Sequence, residues 1–191
     1  MQAAIHYKNS AIVKHVIMKG FKLENPPSSI DVMTEAPAMD RDYRPTPYII
    51  QAITSSSLEI VKILLAAGCT LDAFGHIGFS ASRRNAVSSN VLGAAAYHNK
   101  LEMVDFILGK VQNVEQMINV KAVETANKHS DKSQFKYENN EFTPLQLAIV
   151  AKQNNFKIVK TLLSKGATTL MKVGSNQDTV LHLAAKYCKE F

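Results

Sequence analysis

One apolar pattern occurs four times along this chain of 191 residues, and it constrains the fold more than any other feature. Each copy has apolar residues at positions i, i+1, i+4 and i+5, which lie on one side of an α-helix. Gly20, Gly68 and Gly166 follow three of the copies, where a helix C-terminus favours a residue that can adopt positive φ. The four copies are Ile12-Val13-x-x-Val16-Ile17, Ile60-Val61-x-x-Leu64-Leu65, Met103-Val104-x-x-Ile107-Leu108 and Ile158-Val159-x-x-Leu162-Leu163.

A shorter helix is predicted before each apolar helix. Thr46-Pro47 and Thr143-Pro144 supply an N-cap hydroxyl and a proline for the first turn, and small residues such as Ala94-Ala95-Ala96 follow. Polar residues such as Asn99-Lys100 separate the two helices, and Asn tolerates the left-handed conformation of a tight turn. The repeated unit is therefore a short helix, a turn, an apolar helix, a glycine and an extended link.

Two segments resemble the ankyrin repeat family. Thr143-Pro144-Leu145-Gln146-Leu147-Ala148 and Thr179-Val180-Leu181-His182-Leu183-Ala184-Ala185 are similar to its Thr-Pro-Leu-His-x-Ala-Ala signature, and the segment from Leu58 to Gly68 is similar to its second helix. The resemblance implies an all-α solenoid of stacked helix-turn-helix repeats, about three full and two partial, joined by extended or β-hairpin loops. It also implies that His182 bonds to Thr179 within its turn and has a structural role.

Three long insertions interrupt the repeat. The apolar stripes start 48, 43 and 55 residues apart, whereas an ankyrin repeat spans about 33 residues. The first insertion, with its prolines, is interpreted as an irregular loop and the second, from Phe74 to Ser89, as a loop with aromatic residues. In the third, the partly alternating segments 118–123 and 134–138 predict either a drawn-out β-hairpin or a disordered loop.

We interpret residues 1–191 as a single ankyrin-type domain. Because the chain begins inside a first helix and stops before a second one, we expect a segment of a longer array, or ends that something else covers. The predicted boundaries are partial repeat 1 at 1–24, insertion 25–43, repeat 2 at 44–73, insertion 74–89, repeat 3 at 90–110, insertion 111–141, repeat 4 at 142–174 and partial repeat 5 at 175–191.

Composition indicates a soluble intracellular protein, and we expect it in the cytoplasm. Cys69 and Cys188 lie far apart, which suits a reducing compartment, and no apolar stretch reaches the ~18 residues that a membrane span needs. From Thr143 onward the chain has seven lysines and only two acidic residues. This basic quarter could attract an anionic surface, although scattered lysines are more often solvated.

The sequence predicts no enzyme, no cofactor and no metal site. It lacks the glycine-rich phosphate loops, the zinc-protease motif and the nucleophile-elbow motif, and its six histidines have no ligand spacing. No base is evident for either cysteine, and both are expected to be inert. Asp40 and Asp42, beside Arg41 and Arg44, are expected to be a solvated acid pair.

The leading hypothesis is a non-catalytic scaffold that binds another protein through the concave surface of first helices and loop tips. The rivals are a regulatory cytosolic segment of a larger channel or enzyme, and binding of an anionic lipid or nucleic acid through the lysine-rich quarter, which is the less favoured. Arg83-Arg84 could grip a carboxylate or phosphate, although such a pair is more often solvated. The candidate partner-binding residues are His6, Tyr7, Tyr43, Arg44, Thr54, Arg83, Arg84, Tyr97, His98, Asn139, Asn140, Glu141, Lys152, Lys186 and Tyr187.

Overall fold

The structure is a computed structural model that describes residues 1–23, 46–79, 85–126, 141–151, 155–174 and 176–187. The chain divides into two compact units, Met1–Gly75 and His76–Phe191, which are described in turn. The first insertion and the segment 134–138 lie outside the described residues.

The first unit contains two helix pairs that stack on each other. Helices α1 (Gln2–His6) and α2 (Ser10–Met18) form one pair, and α3 (Tyr48–Thr54) and α4 (Leu58–Ala66) form the other. The first helices α1 and α3 pack together, and so do the second helices α2 and α4. The prediction of neighbour-stacked helical pairs is confirmed for this unit.

The second unit repeats this arrangement. Its helices are α5 (Val91–Tyr97), α6 (Leu101–Lys110), a short α7 (Val114–Ile118), α8 (Pro144–Val150), α9 (Phe156–Ser164) and α10 (Val180–Tyr187). The first helices α5, α8 and α10 pack in a row, and the second helices α6 and α9 pack beside it. Each of these second helices also packs on the first helix that precedes it, α6 on α5 and α9 on α8.

The apolar stripes form the core between the stacked pairs. Ile60, Met103 and Ile158, which begin three of the stripes, are all buried. Burying a side chain of this size stabilises a fold by about 1.5–3 kcal/mol relative to leaving it in water. Most of the helical stability therefore comes from packing, since helices of 5–10 residues are too short to persist alone.

Two recurrent turns use positive φ. Between the helices of a pair, Lys8, Ser56 and Asn99 have φ values of 55°, 65° and 55°, and the following N–H bonds back to the first helix. After the second helices, Gly20 and Gly68 have φ values of 83° and 97°, and Gly166 follows the same pattern at 93°. The predicted glycine C-caps are confirmed, because the residue after each of these glycines donates its N–H to a carbonyl in the last turn.

The predicted N-caps are confirmed at one of the two Thr-Pro steps. Thr143 Oγ1 accepts from Gln146 N at 3.3 Å, and Gln146 Oε1 accepts from Thr143 N at 2.8 Å, which is a complete capping box. The prediction is wrong at Thr46, because α3 begins at Tyr48 after Pro47 and has no side-chain cap. There Gln51 Nε2 donates to the Thr46 carbonyl at 2.6 Å instead.

A three-stranded sheet makes the loop prediction for the second insertion wrong, whereas the predicted helix-turn-helix repeats are present. Strands β1 (Phe74–Phe79), β2 (Asn85–Asn90) and β3 (Val123–Ala126) lie in the order β1-β2-β3, so most of the predicted loop 74–89 is strand. Strands β2 and β3 are antiparallel, with Asn85 opposite Ala126 and Ser88 opposite Val123. The pairing of β2 with β3 has no local signal, because the paired residues lie more than 30 positions apart. Strand β1 lies next to β2 both in sequence and in the sheet, so the loop interpretation was simply wrong there.

In the third insertion, the predicted strand over 118–123 is wrong, because Ile118 ends a helix and strand β3 begins only at Val123. Helix α7 begins after Asn113, whose side chain accepts from Gln116 N at 3.3 Å. Asn90, at the start of α5, accepts from Gly93 N and donates to the Met117 carbonyl, both at 2.8 Å, so it caps one helix and holds another. In the described part of the chain, no helix is both long and apolar enough to cross a membrane.

Candidate protein-binding surface

The candidate contact residues lie where the first helix of each pair ends. In the first unit this position is held by His6 and Tyr7. The Tyr7 ring is 79% exposed and meets the His6 ring edge to face, with centroids 5.1 Å apart. An aromatic side chain this exposed at a helix end offers a large contact area to a partner.

Thr54 occupies the equivalent position at the end of α3. Its side chain is half-buried, and Oγ1 donates to the Gln51 carbonyl at 3.0 Å. The neighbouring Ser55 hydroxyl donates in the same way to the Ala52 carbonyl at 3.1 Å. Both hydroxyls therefore use their one donor at the end of the helix and could meet a partner only as acceptors.

In the second unit, Tyr97 and His98 pack against strand β1. The His98 Nε2 donates to the Ile77 carbonyl at 2.6 Å, and both side chains are half-buried. A Cβ atom added at Gly78 would lie 3.0 Å from the Tyr97 ring, so the glycine lets the ring approach the strand closely. Tyr97 and His98 thus support the sheet as well as lining the candidate surface. The sequence analysis did not identify Gly78 as part of this site.

Burial makes the two histidines of this region poor bases. Desolvation lowers the pKa of His98 below its ordinary value, with a further decrease from the Lys100 charge and an opposing increase from the Ile77 carbonyl. Desolvation also lowers the pKa of His76, where a hydrogen bond with the Val87 backbone opposes the shift and the charge of His98 adds to it. Both imidazoles therefore favour the neutral form.

Lys186 and Tyr187 end helix α10. The Lys186 ammonium lies 5.4 Å from the centroid of the Tyr187 ring, within the range of a cation–π contact. Lys186 is exposed and Tyr187 is half-exposed. This step therefore presents a charge and an aromatic face together.

Glu141 is exposed and pairs with Lys121 across 2.5 Å. Because both side chains are about half-exposed, such a pair is worth at most about 1 kcal/mol. The remaining candidates lie outside the described residues; they are Tyr43, Arg44, Arg83, Arg84, Asn139, Asn140 and Lys152.

The polar residues of the repeat signature have structural roles. The predicted bond of His182 is confirmed, since its Nδ1 accepts from Thr179 N at 3.2 Å and lies 2.7 Å from the Thr179 hydroxyl. Gln146 takes the same place in the preceding repeat and reaches further, donating Nε2 to the Met171 carbonyl at 2.8 Å. Gln146 is fully buried. Its hydrogen bonds connect its own turn, at Thr143, to the link that precedes the next repeat, at Met171.

The described residues contain few groups of the kinds that bind metals or act as nucleophiles in proteins. Within those ranges, no group of three or more His, Cys, Asp or Glu side chains could hold a metal ion. Cys69 is buried, and burial raises the pKa of its thiol, which disfavours the reactive thiolate. Cys188, Asp40 and Asp42 fall outside the described part of the chain.

The second unit matches a known protein family over most of its length. Residues 92–191 match a family model described as ankyrin repeats, with three copies, and this segment is just over half of the chain. The matched segment begins inside α5 and includes α6, α8, α9 and α10. A search of curated proteins finds no match to the chain.

Proposed function

Because this chain is a member of the ankyrin repeat family, we propose that it is a non-catalytic scaffold that binds another protein through the ends of its first helices. Ankyrin repeats are generally protein–protein interaction modules. Stacked repeats suit this task, since they place equivalent residues of neighbouring repeats side by side on one surface.

One observation carries the proposal. A tyrosine lies next to a histidine or a lysine at the ends of three first helices: His6 with Tyr7, Tyr97 with His98, and Lys186 with Tyr187. Each pair is in ring contact, at 5.1, 5.2 and 5.4 Å respectively. Tyrosine buries a large area with few rotatable bonds and ends in a hydrogen-bonding group, which is why it recurs at interface hot spots.

The second unit supports a surface wide enough for a partner segment. Helix α8 lies between α5 and α10 in the row of first helices, and it ends in Val150 and Ala151, which are small and half-exposed. The axes of packed helices are 8–10 Å apart, so the axes of α5 and α10, on either side of α8, are separated by roughly 16–20 Å. The ends of α5 and α10, which carry Tyr97 and Tyr187, are thus far enough apart for a partner segment to contact both.

Site-specific photocrosslinking tests this proposal and identifies the partner in the same experiment. A photoreactive phenylalanine replaces Tyr187 in one variant and the exposed Lys110 in a matched control. We expect position 187 to yield a discrete crosslinked protein in an extract of the native source, which mass spectrometry identifies. Equal labelling from both positions, or labelling from position 110 alone, would contradict the proposed surface.

Affinity for the captured protein then measures the role of the aromatic residues. We expect Tyr187→Ala to weaken binding about tenfold or more, as truncation of an interface anchor does. Lys110→Ala should leave the affinity unchanged. The double variant Tyr97→Ala with His98→Ala needs a melting curve beside it, because both side chains also contact β1.

A further inference from the structure

The first helices of the second unit have no acidic residue. Helices α5, α8 and α10 contain neither Asp nor Glu, and neither do residues 98–100 and 151–155, which link α5 to α6 and α8 to α9. The described basic residues of these segments are His98, Lys100, His182 and Lys186. Any full charge that this row of helices presents to a partner is therefore positive.

Two lysines at the ends of this row have no compensating negative charge. The exposed Lys186 ammonium lies 5.4 Å from the centroid of the Tyr187 ring, a contact that leaves its charge intact. Lys100 is half-exposed, and its charge lowers the pKa of His98, which places the ammonium near that imidazole. Among the residues that the structure describes, neither lysine forms an ion pair with a carboxylate. Both ammonium groups can therefore meet a carboxylate of another molecule.

The acidic residues of the second unit lie on other elements. Glu102 and Asp105 are exposed on α6, and Glu115 is exposed on α7. Glu141 is paired with a lysine, and Asp178 lies before the start of α10, whereas the lysine of that helix is in its last turn. A negatively charged segment is thus favoured at the ends of α5 and α10, where a positively charged one would be repelled.

We propose that the partner segment bound at the ends of α5, α8 and α10 is an extended acidic peptide, with carboxylates at Lys100 and Lys186 and apolar residues between them. This assignment rests on the proposed function and adds the chemistry of the partner. The axes of α5 and α10 are roughly 16–20 Å apart and an extended chain rises about 3.3 Å per residue, so the carboxylates are about five or six residues apart. The tyrosine rings supply most of the contact area, and the charges determine which segment binds.

Nucleic acid is a poorer occupant of the same surface. It carries a charge at every phosphate, whereas Val150 and Ala151, which end α8 between the two lysines, are apolar. The exposed carboxylates of Glu102 and Asp105 also follow Lys100 on α6 and would repel a continuous phosphate backbone.

Two synthetic peptides test the proposal. Both have a proline-rich centre of five residues, which holds the chain extended at about 3.1 Å per residue, and they carry either two glutamates or two glutamines at each end. Titrated into the full chain, the glutamate peptide should bind at least about tenfold more tightly, because the contacts with the tyrosines are common to both. Equal affinity for the two peptides, or no saturable binding of the glutamate peptide, would overturn the proposal.

Lys100→Gln with Lys186→Gln should lose about tenfold in affinity for the glutamate peptide and little for the glutamine peptide. The matched control is Lys110→Gln with Lys165→Gln, which changes the net charge equally at exposed positions on α6 and after α9. The control should keep the full preference for glutamate, and melting curves of both double variants check their folding. An equal loss in the two double variants would mean that only the net charge matters, which contradicts the assigned site.

Two further measurements separate other occupants. Tighter binding of a ten-residue oligothymidylate than of the glutamate peptide would assign the lysines to nucleic acid and overturn the proposal. So would a tenfold gain in peptide affinity when the acidic residues from Glu24 to Asp42 are changed to their amides, because the chain's own acidic stretch would then be the occupant. A protein crosslinked at position 187 through a segment without Asp or Glu would contradict the acidic peptide alone, whereas the absence of any discrete crosslink would contradict the surface itself.

Discussion

At the scale of single residues, positive φ marks both turns of the repeat, and the chain meets this requirement in two ways. Gly68 has φ of 97° with open space where a Cβ atom would be, so any cost of a side chain there is in the backbone. Ser56 has φ of 65° and already bears that cost, because a left-handed conformation is unfavourable for residues other than glycine. Gly68 therefore avoids a backbone cost that a side chain would add, whereas Ser56 has that cost already.

Replacing Gly68 by alanine and Ser56 by glycine should change the free energy of unfolding in opposite directions. We expect Gly68→Ala to lower the free energy of unfolding by about 1–2 kcal/mol, because alanine resists positive φ. Ser56→Gly should raise it by roughly 0.5 kcal/mol, since the strain removed exceeds the entropy that glycine loses on folding. Urea unfolding of both variants measures the two values, and a stabilising Gly68→Ala would contradict the role assigned to the glycine.

The buried histidines predict a loss of stability in acid. Because burial lowers the pKa of His76 and His98, the unfolded chain binds protons more readily than the folded chain just below the ordinary value of about 6.5. The free energy of unfolding should therefore be fully retained above that pH and fall as the pH decreases through the lowered folded values. Urea unfolding between about pH 7.5 and pH 5 measures this slope.

His98→Gln provides the control for the pH profile. Glutamine keeps a donor for the Ile77 carbonyl and has no titrating proton, so the variant should show a shallower decrease in stability. An identical slope in the variant would show that the loss has another origin.

At the scale of elements, helix α5 approaches its neighbours closely because it contains Gly93. A Cβ atom at this position would fall on the Ser89 hydroxyl and lie 3.0 Å from Leu147 Cδ1 of helix α8. Gly93 lies at the repeat position of Gln146 and His182 in the following repeats. Those two side chains form hydrogen bonds there, whereas Gly93 allows the backbone to pack closely.

Two glycine-to-alanine changes separate packing from helix propensity. Gly93→Ala should lower the free energy of unfolding by about 1–3 kcal/mol, because the methyl group overpacks the contact between helices. Gly109→Ala in α6 has no atom within 4 Å of the new Cβ, so it should raise stability by roughly 0.5 kcal/mol. Thermal melts of the two variants make the comparison, and equal shifts would refute the close approach at Gly93.

The elements that could be predicted were those set by local signals. The stripes and C-cap glycines act within a turn or two of helix, which is why α4 and α9 lie where the pattern indicated them. The pairing of β2 with β3 could not be predicted in this way, since three helices, α5, α6 and α7, lie between the two strands in sequence. The surroundings of the candidate surface could not be predicted for the same reason, because no residue near Tyr97 in sequence indicates that its ring packs on Gly78.

At the scale of the whole molecule, the charge of +6 raises the question of whether binding is electrostatic. A protein bound through Tyr7 or Tyr187 is held mainly by buried aromatic area, whereas nucleic acid is held by phosphate contacts that release counterions. The two cases therefore differ in their response to salt.

Salt dependence should separate these two modes of binding. We expect the affinity for the protein crosslinked at position 187 to fall less than about threefold between 50 and 200 mM NaCl. A decrease of about 10³ or more over this range would indicate contacts to an anionic polymer through the lysine-rich quarter. Isothermal titration at the two salt concentrations gives the ratio directly.

The sequence by itself determined the helix pairs, their order and the turns that end them, because these depend on neighbours within a few residues. It did not determine which of several equivalent apolar residues would be buried. Leu145 and Leu181 occupy the same position of the repeat, yet one is fully buried and the other largely exposed. Only the tertiary structure decided this, since burial depends on which helix packs alongside and not on the residue itself.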